Sequence, residues 1–155
     1  MSLVVLSRIS VQVSKFLGAT QSGFRAGRST ADVVWALRWL AGKAMRHNWE
    51  YHVLGIDMSK AFDTINRSKL LGVMQNITGP DEVCLIHHLL YNTTIQVGLG
   101  KLRSEPFESN IGTPQGDGLS PILLLCYLEA AMQECCRSLP NRPSQDELQT
   151  QETGY

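Results

Sequence analysis

A carboxylate and an aromatic ring stand five residues apart in the segment Ile56–Asp63, where an apolar run ends. The run Tyr51–Ile56 is typical of a β-strand and delivers Asp57 to its carboxyl end. A carboxylate at that point escapes full burial and can bind a hard cation through oxygen, and Phe62 can form the wall of a pocket beside it. A turn cap next to a core phenylalanine explains the same pattern, and for these two residues alone we favour it.

A second candidate is the glycine-bearing loop Gly112–Gly118, which lies just before a predicted helix start at Ser120–Pro121. Its glycines allow a ligand to approach the backbone closely, and Gln115 offers both a donor and an acceptor. Free amide N–H groups at the start of the helix could face an anion. A plain connector accounts for the loop about equally well, although the prolines on either side of Gln115–Gly116 favour a shaped loop.

Two arginines in the loop Gln21–Thr30 form a third candidate, because the guanidinium groups of Arg25 and Arg28 suit the geometry of a phosphate. Alone this signal is weak, since most paired arginines in loops are solvated. Residues 1–50 carry seven basic and two acidic side chains, although the whole chain has 14 of each. A basic first third could face a polyanion, whereas a neutral whole predicts that the chain alone binds nucleic acid weakly.

The elements that must position these candidates form an α+β pattern. Helices are predicted over residues 4–17, after a cap at Ser29 or Thr30, from Asn66 or Ser68 to about residue 77, over 80–91 and over 120–139. Strands are predicted over 51–56, 93–97 and 107–111, the last two as a hairpin. From Pro140 the composition becomes that of an exposed polar tail.

Composition excludes two classes of protein. The chain is 155 residues long and 43% hydrophobic, enough apolar material to bury a core rather than stay disordered. Its longest apolar stretch, Ile122–Leu128, is far shorter than the roughly 20 residues of a membrane span. The four cysteines show no metal-binding spacing, so we expect buried free thiols in a reducing compartment. We therefore expect an intracellular protein, in the nucleus or the cytoplasm, without contact to a membrane.

Three strings in order, QSGFRAGRST, DMSKAFDTINR and GTPQGDGLSP, resemble the reverse transcriptases of non-LTR (LINE-like) retrotransposons. The resemblance covers about residues 8–155 and implies a partial right-hand polymerase. Residues 1–139 would be a fingers and palm fragment, and 140–155 would lead toward a further palm hairpin. The implied activity is that of an RNA-directed DNA polymerase, with an RNA template, a DNA primer, deoxynucleoside triphosphates (dNTPs) and two Mg²⁺ ions.

The resemblance also implies roles for residues around the first candidate. Asp57 looks like the first metal-binding and catalytic aspartate of the palm, and the carbonyl of Met58 would support the same metal. Phe62 matches the bulky residue that clashes with a ribose 2′-OH. Lys60 and Ala61 would form the floor under the incoming sugar.

In the other two strings, Gln115 and Gly116 match the loop that touches the incoming nucleotide. Arg25 and Arg28 fall in the fingers motif, either near the template or in structural contacts of the loop. Asp63 is typical of the family, but we do not interpret it as a metal ligand.

The sequence departs from the family pattern at the second carboxylate motif of the palm. No Asp-Asp pair occurs in the chain, and Tyr155 resembles the aromatic residue that precedes the catalytic pair. The thumb is absent from the resemblance as well. We therefore expect at most one partial metal site and no polymerase activity from this chain alone. The strand before Asp57 would lack its neighbours, and its unpaired edge would favour self-association.

Two other functions stay open. The chain could be a non-catalytic retroelement remnant or a domesticated module that binds RNA through its basic first third. An unrelated metal-dependent phosphotransferase would need another carboxylate beside Asp57, supplied by Asp63, Asp117 or Glu129.

Overall fold

The computed structural model describes residues 1–91 and 93–138. The predicted polar tail 140–155, with Tyr155, lies outside these residues. The described chain is a mixture of helices and two small sheets, in agreement with the predicted α+β pattern. Its elements are α1 Ser2–Phe16, α2 Thr30–His47, α3 Arg67–Gln75, α4 Pro80–Leu90, β1 Thr93–Ile95, β2 Gly98–Leu99, β3 Leu102–Arg103, β4 Phe107–Ser109 and α5 Ser120–Ser138.

The core lies between α1, α3, α4 and α5. Val5, Ile9 and Val13 recur at helical spacing along α1, and all three are buried where α1 packs on α4 and α5. Four consecutive residues of α5, Leu123–Cys126, are buried too. Successive helix residues point about 100° apart, so α5 is surrounded on several sides at this level.

Local signals set the starts of α3 and α4. The side-chain oxygen of Asn66 accepts a hydrogen bond from the Lys69 amide at 3.0 Å, which satisfies a free donor of α3. Pro80 occupies the first turn of α4, where its missing N–H costs nothing, and Asp81 and Glu82 complement the helix dipole. Both predicted starts are confirmed.

The predicted hairpin is confirmed, with shorter strands than expected. β1 and β4 pair antiparallel in the register Thr93↔Ser109 and Ile95↔Phe107. A second small sheet, β2 with β3, continues the same hairpin toward its tip, where Gly100 adopts a φ of 59°. The hairpin returns the chain to the body just before the loop Gly112–Gly118.

The predicted strand over Tyr51–Ile56 is wrong. The structure shows neither helix nor strand there, and Leu54 and Ile56 are 86% and 74% exposed. A strand is stabilised by hydrogen bonds to a neighbour, and no strand within the described ranges lies alongside this segment. Because the segment forms no strand, the expected strand edge is not present, and self-association through this segment stays a prediction.

Helix α2 stands apart from the core. Its start is confirmed, since the Ser29 hydroxyl accepts a hydrogen bond from the Ala31 amide at 3.1 Å. The sequence predicts an apolar stripe along this helix, formed by Val33, Val34, Leu37, Leu40, Ala41, Ala44 and Met45. Only Ala44 of these residues is buried, while Val33 and Leu37 are exposed. Among the described elements, none packs extensively against α2.

The cysteines are all free, as predicted, but only Cys126 is buried. Cys84, Cys135 and Cys136 are exposed, so the expectation of burial is wrong for these three. They lie on the outer faces of α4 and α5, because a helix turns by about 100° per residue and buries only part of its circumference. Within the described chain, no helix is both long enough and apolar enough to cross a membrane.

Candidate active site

The chain reverses direction directly after Asp57. Lys60 adopts a positive φ of 52°, and its carbonyl accepts hydrogen bonds from the amides of Asp63 at 2.9 Å and Thr64 at 3.1 Å. Phe62 is half-buried and packs against the hydrophobic core. The turn therefore holds the Phe62 ring rigidly while Lys60 stays exposed.

The loop after β4 lies directly on this turn. The Gly112 amide donates to the carbonyl of Ile65, and the Thr113 amide donates to that of Phe62, both at 2.9 Å. Gly112 has a φ of +73°, and a Cβ there would lie 2.8 Å from the Asp63 Cα and from the carbonyl oxygens of Phe62 and Asp63. Glycine is thus required for two of the three sequence strings to meet.

Gln115 is the point at which side chains of the two strings touch. Its Nε2 donates to Oδ1 of Asp63 at 3.4 Å, a long hydrogen bond on an exposed surface. Gly116 follows with a φ of +90° and is also exposed. A groove of about 650 Å³ runs beside the loop and is lined in part by Asp63, Gln115 and Arg67. Gln115 thus lies against Asp63, the residue after Phe62, whereas Phe62 is not part of the lining of this groove.

Asp57 is exposed, as is Met58. Within the described ranges, the Asp57 carboxylate takes part in no ion pair, and the groove beside Gln115 does not include it in its lining. Its charge is therefore available to a ligand from solvent. The structure does not join Asp57 to Gln115 through a direct contact.

The carboxylates of the described residues do not fit a pair of divalent cations. Such a pair needs several carboxylate oxygens, and no group of three or more His, Cys, Asp or Glu side chains in the described chain could hold an ion. The phosphotransferase hypothesis, which required Asp63, Asp117 or Glu129 to supply carboxylates near Asp57, gains no support from the described residues.

The two arginines of the first string have different surroundings. Arg25 donates from Nη1 to the Gly18 carbonyl at 2.8 Å and from Nη2 to the Ser14 carbonyl at 3.0 Å, so it ties its loop to the end of α1. It also borders an apolar cavity of about 490 Å³ between α1 and α5. Arg28 is exposed. Arg25 thus makes structural contacts within the loop, which was one of the two expectations for these arginines, and Arg28 is the more exposed of the two.

Sequence reasoning missed two members of this site. Asp63 was not interpreted as a partner of Gln115, and Arg67 drew no attention, although it is buried behind the loop. In the sequence, Arg67 is a charged residue at the start of a short helix whose other buried residues are apolar. Charged residues are common at helix starts, so this pattern could not single out Arg67.

Comparison with known sequences assigns the class of protein. Residues 2–146 match the family described as reverse transcriptase (RNA-dependent DNA polymerase), and this match implies a polymerase-like fold. It covers nearly the whole chain, so the protein belongs to the reverse transcriptase family. Members of this family in general bind an RNA template, a primer and dNTPs, and they generally use Mg²⁺. No curated protein matches the chain.

Proposed function

We propose that the chain is a fingers and palm fragment of the RNA-directed DNA polymerase of a non-LTR retroelement. One observation carries the proposal: the loop Gly112–Gln115 lies on the turn at Phe62–Asp63. The backbone amide of Thr113 donates to the Phe62 carbonyl at 2.9 Å, and the side-chain Nε2 of Gln115 donates to Oδ1 of Asp63 at 3.4 Å. The strings that resemble the nucleotide-binding parts of the family are far apart in sequence, and the fold joins them.

In this proposal the surface formed by the turn and the loop binds the incoming dNTP. Phe62 is the wall that excludes a ribose 2′-OH, and its contact with the core makes that wall rigid. Lys60 and Ala61 form the floor under the sugar. Gln115 and Gly116 contact the nucleotide, because both are exposed and Gln115 can donate and accept hydrogen bonds.

Asp57 and the Met58 carbonyl would contribute to one Mg²⁺ site. Because the described carboxylates do not form a site for two metal ions, we propose that the chain alone does not extend a primer. The proposed capacity of the chain itself is therefore dNTP binding, and catalysis requires further carboxylates.

The first experiment measures dNTP binding and its dependence on Phe62. A fluorescent dNTP is bound to the chain with Mg²⁺ and displaced by unlabelled deoxynucleotide or ribonucleotide. We expect Phe62→Ala to reduce the preference for the deoxynucleotide by about tenfold, since a lost steric clash of roughly 1.4 kcal/mol gives that ratio. Phe107→Ala, an exposed phenylalanine of the hairpin, is the matched control. An unchanged preference in Phe62→Ala would contradict the assigned wall.

The second experiment is primer extension with Mg²⁺ or Mn²⁺. We expect no incorporation by the unmodified chain. Incorporation that disappears in Asp57→Ala would show that the chain is an active polymerase and that the proposed inactivity is wrong.

A non-catalytic RNA-binding function is favoured by one feature of α2. Trp39, Lys43 and Arg46 line a shallow pocket of about 210 Å³, and Lys43 Nζ lies 5.5 Å from the centre of the Trp39 ring. Aromatic rings can stack on bases, and neighbouring cations can neutralise phosphates. This surface faces solvent on the basic first third of the chain.

Salt-dependent binding of single-stranded RNA tests this second function. Trp39→Ala and Arg28→Ala should each weaken binding several-fold, and Lys69→Ala on α3 should leave it unchanged. Arg25→Ala is unsuitable as a probe, because Arg25 holds the loop to α1. RNA binding that is unchanged in Trp39→Ala would exclude the surface formed by Trp39, Lys43 and Arg46.

A further inference from the structure

Arg67 is a buried cation at the first position of α3, with 4% of its surface exposed. It follows the cap residue Asn66 and points inward, behind the loop that carries Gln115. Neither dNTP binding nor metal binding, as proposed above, uses this guanidinium. A charge in such a position needs partners that compensate for its lost hydration.

Backbone carbonyl oxygens surround the Arg67 guanidinium. Its Nε donates to the carbonyl of Gly112 at 2.8 Å, and its Nη2 donates to that of Ile111 at 3.1 Å. Its Nη1 donates to the carbonyl of Ser109 at 2.5 Å and also to that of Leu90. Carbonyls from two separate stretches of the chain thus converge on one side chain.

These carbonyls also compensate the charge. Within the part of the chain that the structure describes, Arg67 has no ion pair with a carboxylate. Leu90 is the last residue of α4, where the helix dipole is negative. Burial lowers the pKa of Arg67, with a smaller opposing effect from Tyr91, and an arginine still stays protonated near neutral pH.

A role for Arg67 in binding an anion does not fit these contacts. Each guanidinium nitrogen already donates to a carbonyl oxygen, although the side chain borders the groove beside the loop. A phosphate would have to displace several of these hydrogen bonds and leave buried carbonyls without a donor. The guanidinium serves the backbone of the protein itself.

The amide side of the same stretch is held separately. The amides of Gly112 and Thr113 donate to the carbonyls of Ile65 and Phe62. Arg67, two residues after Ile65, donates to the carbonyls of Ser109, Ile111 and Gly112 in the same stretch. The start of the loop is therefore fixed from both sides by one short segment, residues 62–67.

We propose that Arg67 is a positioning residue, which fixes the stretch from Ser109 to Gly112 and thereby holds Gln115 beside Asp63. The effect on nucleotides rests on the proposed function, whereas the effect on the loop does not. Lysine cannot replace arginine here, because a single ammonium lacks the planar fork that reaches carbonyls on both stretches.

Hydrogen exchange tests the effect on the loop. In Arg67→Lys, the amides of Gly112 and Thr113 should exchange about tenfold faster or more, while amides in the centres of α1 and α5 keep their rates. Lys69→Ala, an exposed change on the same helix, should leave the loop unchanged. Arg67→Ala should have a larger effect, and where it fails to fold, Arg67→Lys carries the test. Unchanged exchange in Arg67→Lys would overturn the proposal.

A double-mutant cycle tests whether Arg67 acts through Gln115. We expect Arg67→Lys and Gln115→Ala each to weaken dNTP binding about fivefold, and the double variant to bind no more weakly than Gln115→Ala. A purely structural loss of stability would add to the effect of Gln115→Ala. Additive losses would therefore refute the coupling.

The two readouts separate this inference from the proposed function. Faster loop exchange in Arg67→Lys, without dNTP binding by the unmodified chain, would support the positioning of the loop and reject the nucleotide site. Normal dNTP binding with unchanged loop exchange would reject the role of Arg67 and leave the nucleotide site standing.

Discussion

Gly112 is the residue on which the contact between the turn and the loop depends most directly. Its positive φ is unfavourable for any other residue, and the space for a Cβ is occupied by the backbone of Phe62 and Asp63. Backbone atoms cannot move aside as a flexible side chain can. A substitution at Gly112 therefore combines strain with overlap, and both act on the segment that presents Gln115.

We predict that Gly112→Ala destabilises the fold by about 3 kcal/mol or more, from positive-φ strain plus steric overlap. Gly116→Ala is the matched control, because Gly116 also has a positive φ but has open space around its Cβ position. It should cost only the strain, about 1–2 kcal/mol. Urea unfolding followed by circular dichroism measures both. Equal losses in the two variants would show that the overlap is relieved elsewhere.

Cys126 is the second residue whose environment gives a sharp prediction. It is fully buried in α5, and burial raises its pKa to about 12, with a smaller effect in the same direction from Glu129. The thiolate is the reactive form, so Cys126 should stay unmodified by a thiol reagent from about pH 7 to about pH 10. Mass spectrometry of labelled peptides should show modification of the exposed Cys84, Cys135 and Cys136.

The same shift predicts how stability depends on pH. Because the folded protein holds the Cys126 proton more tightly than the unfolded chain, the contribution of Cys126 is complete below about pH 8.5, the ordinary thiol pKa, and falls as pH rises toward 12. Cys126→Ala should lose less stability over this range than the unmodified chain. Rapid labelling of Cys126 in the folded protein would contradict the burial on which both expectations rest.

At single residues, the roles predicted from the sequence stay predictions, and the structure adds contacts that the sequence did not indicate. Phe62 and Gln115 were selected by their types and their motifs, and the fold brings Gln115 against Asp63, the residue after Phe62. The roles of Asp63 and Arg67 depend on residues about 50 and 45 positions away in the chain. No local pattern encodes such partners, so neither role could be predicted from the sequence alone.

Among the elements, those with local signals were predicted; of the segments that need a partner, the hairpin of β1 and β4 was predicted correctly, whereas the strand over Tyr51–Ile56 was not. Asn66, Pro80 and the helical spacing in α1 act within one or two turns, so the starts of α3 and α4 and the buried face of α1 follow from sequence. The segment Tyr51–Ile56 has the composition of a strand, but its backbone hydrogen bonds require a neighbour. The exposure of α2 was equally unpredictable, because its apolar stripe is typical of a buried helix face.

The detachment of α2 predicts a difference between two glycine substitutions. Gly42 in α2 and Gly72 in α3 both lie in helices, with nothing near their Cβ positions. Alanine should stabilise each helix by about 1 kcal/mol. Because α3 packs in the core and α2 does not, only Gly72→Ala should raise the midpoint of global unfolding in urea.

Gly42→Ala should act locally instead. Amides of α2 should exchange about fivefold more slowly, which corresponds to about 1 kcal/mol, while amides of α4 and α5 keep their rates. If Gly42→Ala raised the global midpoint as much as Gly72→Ala, α2 would have to unfold together with the core.

Many large hydrophobic side chains of the described residues are exposed. They lie along α2, including Trp35 and Trp39, and again in the segment before Asp57, at Leu54 and Ile56. Contiguous apolar surface of this kind marks an interface or favours association. The formal net charge is zero near neutral pH, so long-range repulsion between copies does not oppose association.

We predict that the chain self-associates through the segment Tyr51–Ile56, which forms no backbone hydrogen bond within the described chain and exposes apolar side chains that can pair with another copy. Sedimentation velocity should show species larger than a monomer whose fraction rises with concentration. The double variant Leu54→Lys and Ile56→Lys should shift the distribution to the monomer, because charges on an edge oppose strand pairing.

The hairpin tip supplies a control that distinguishes association through the segment before Asp57 from association through any exposed apolar surface. Leu99 and Leu102 are 77% and 73% exposed, close to the exposure of Leu54 and Ile56, but their strands are already paired with each other. Leu99→Lys with Leu102→Lys adds the same charge and should leave the association unchanged. A stable, cooperatively melting monomer at all concentrations would refute the prediction. Equal effects of both double variants would mean that exposed apolar surface in general, rather than the unpaired segment, holds the copies together.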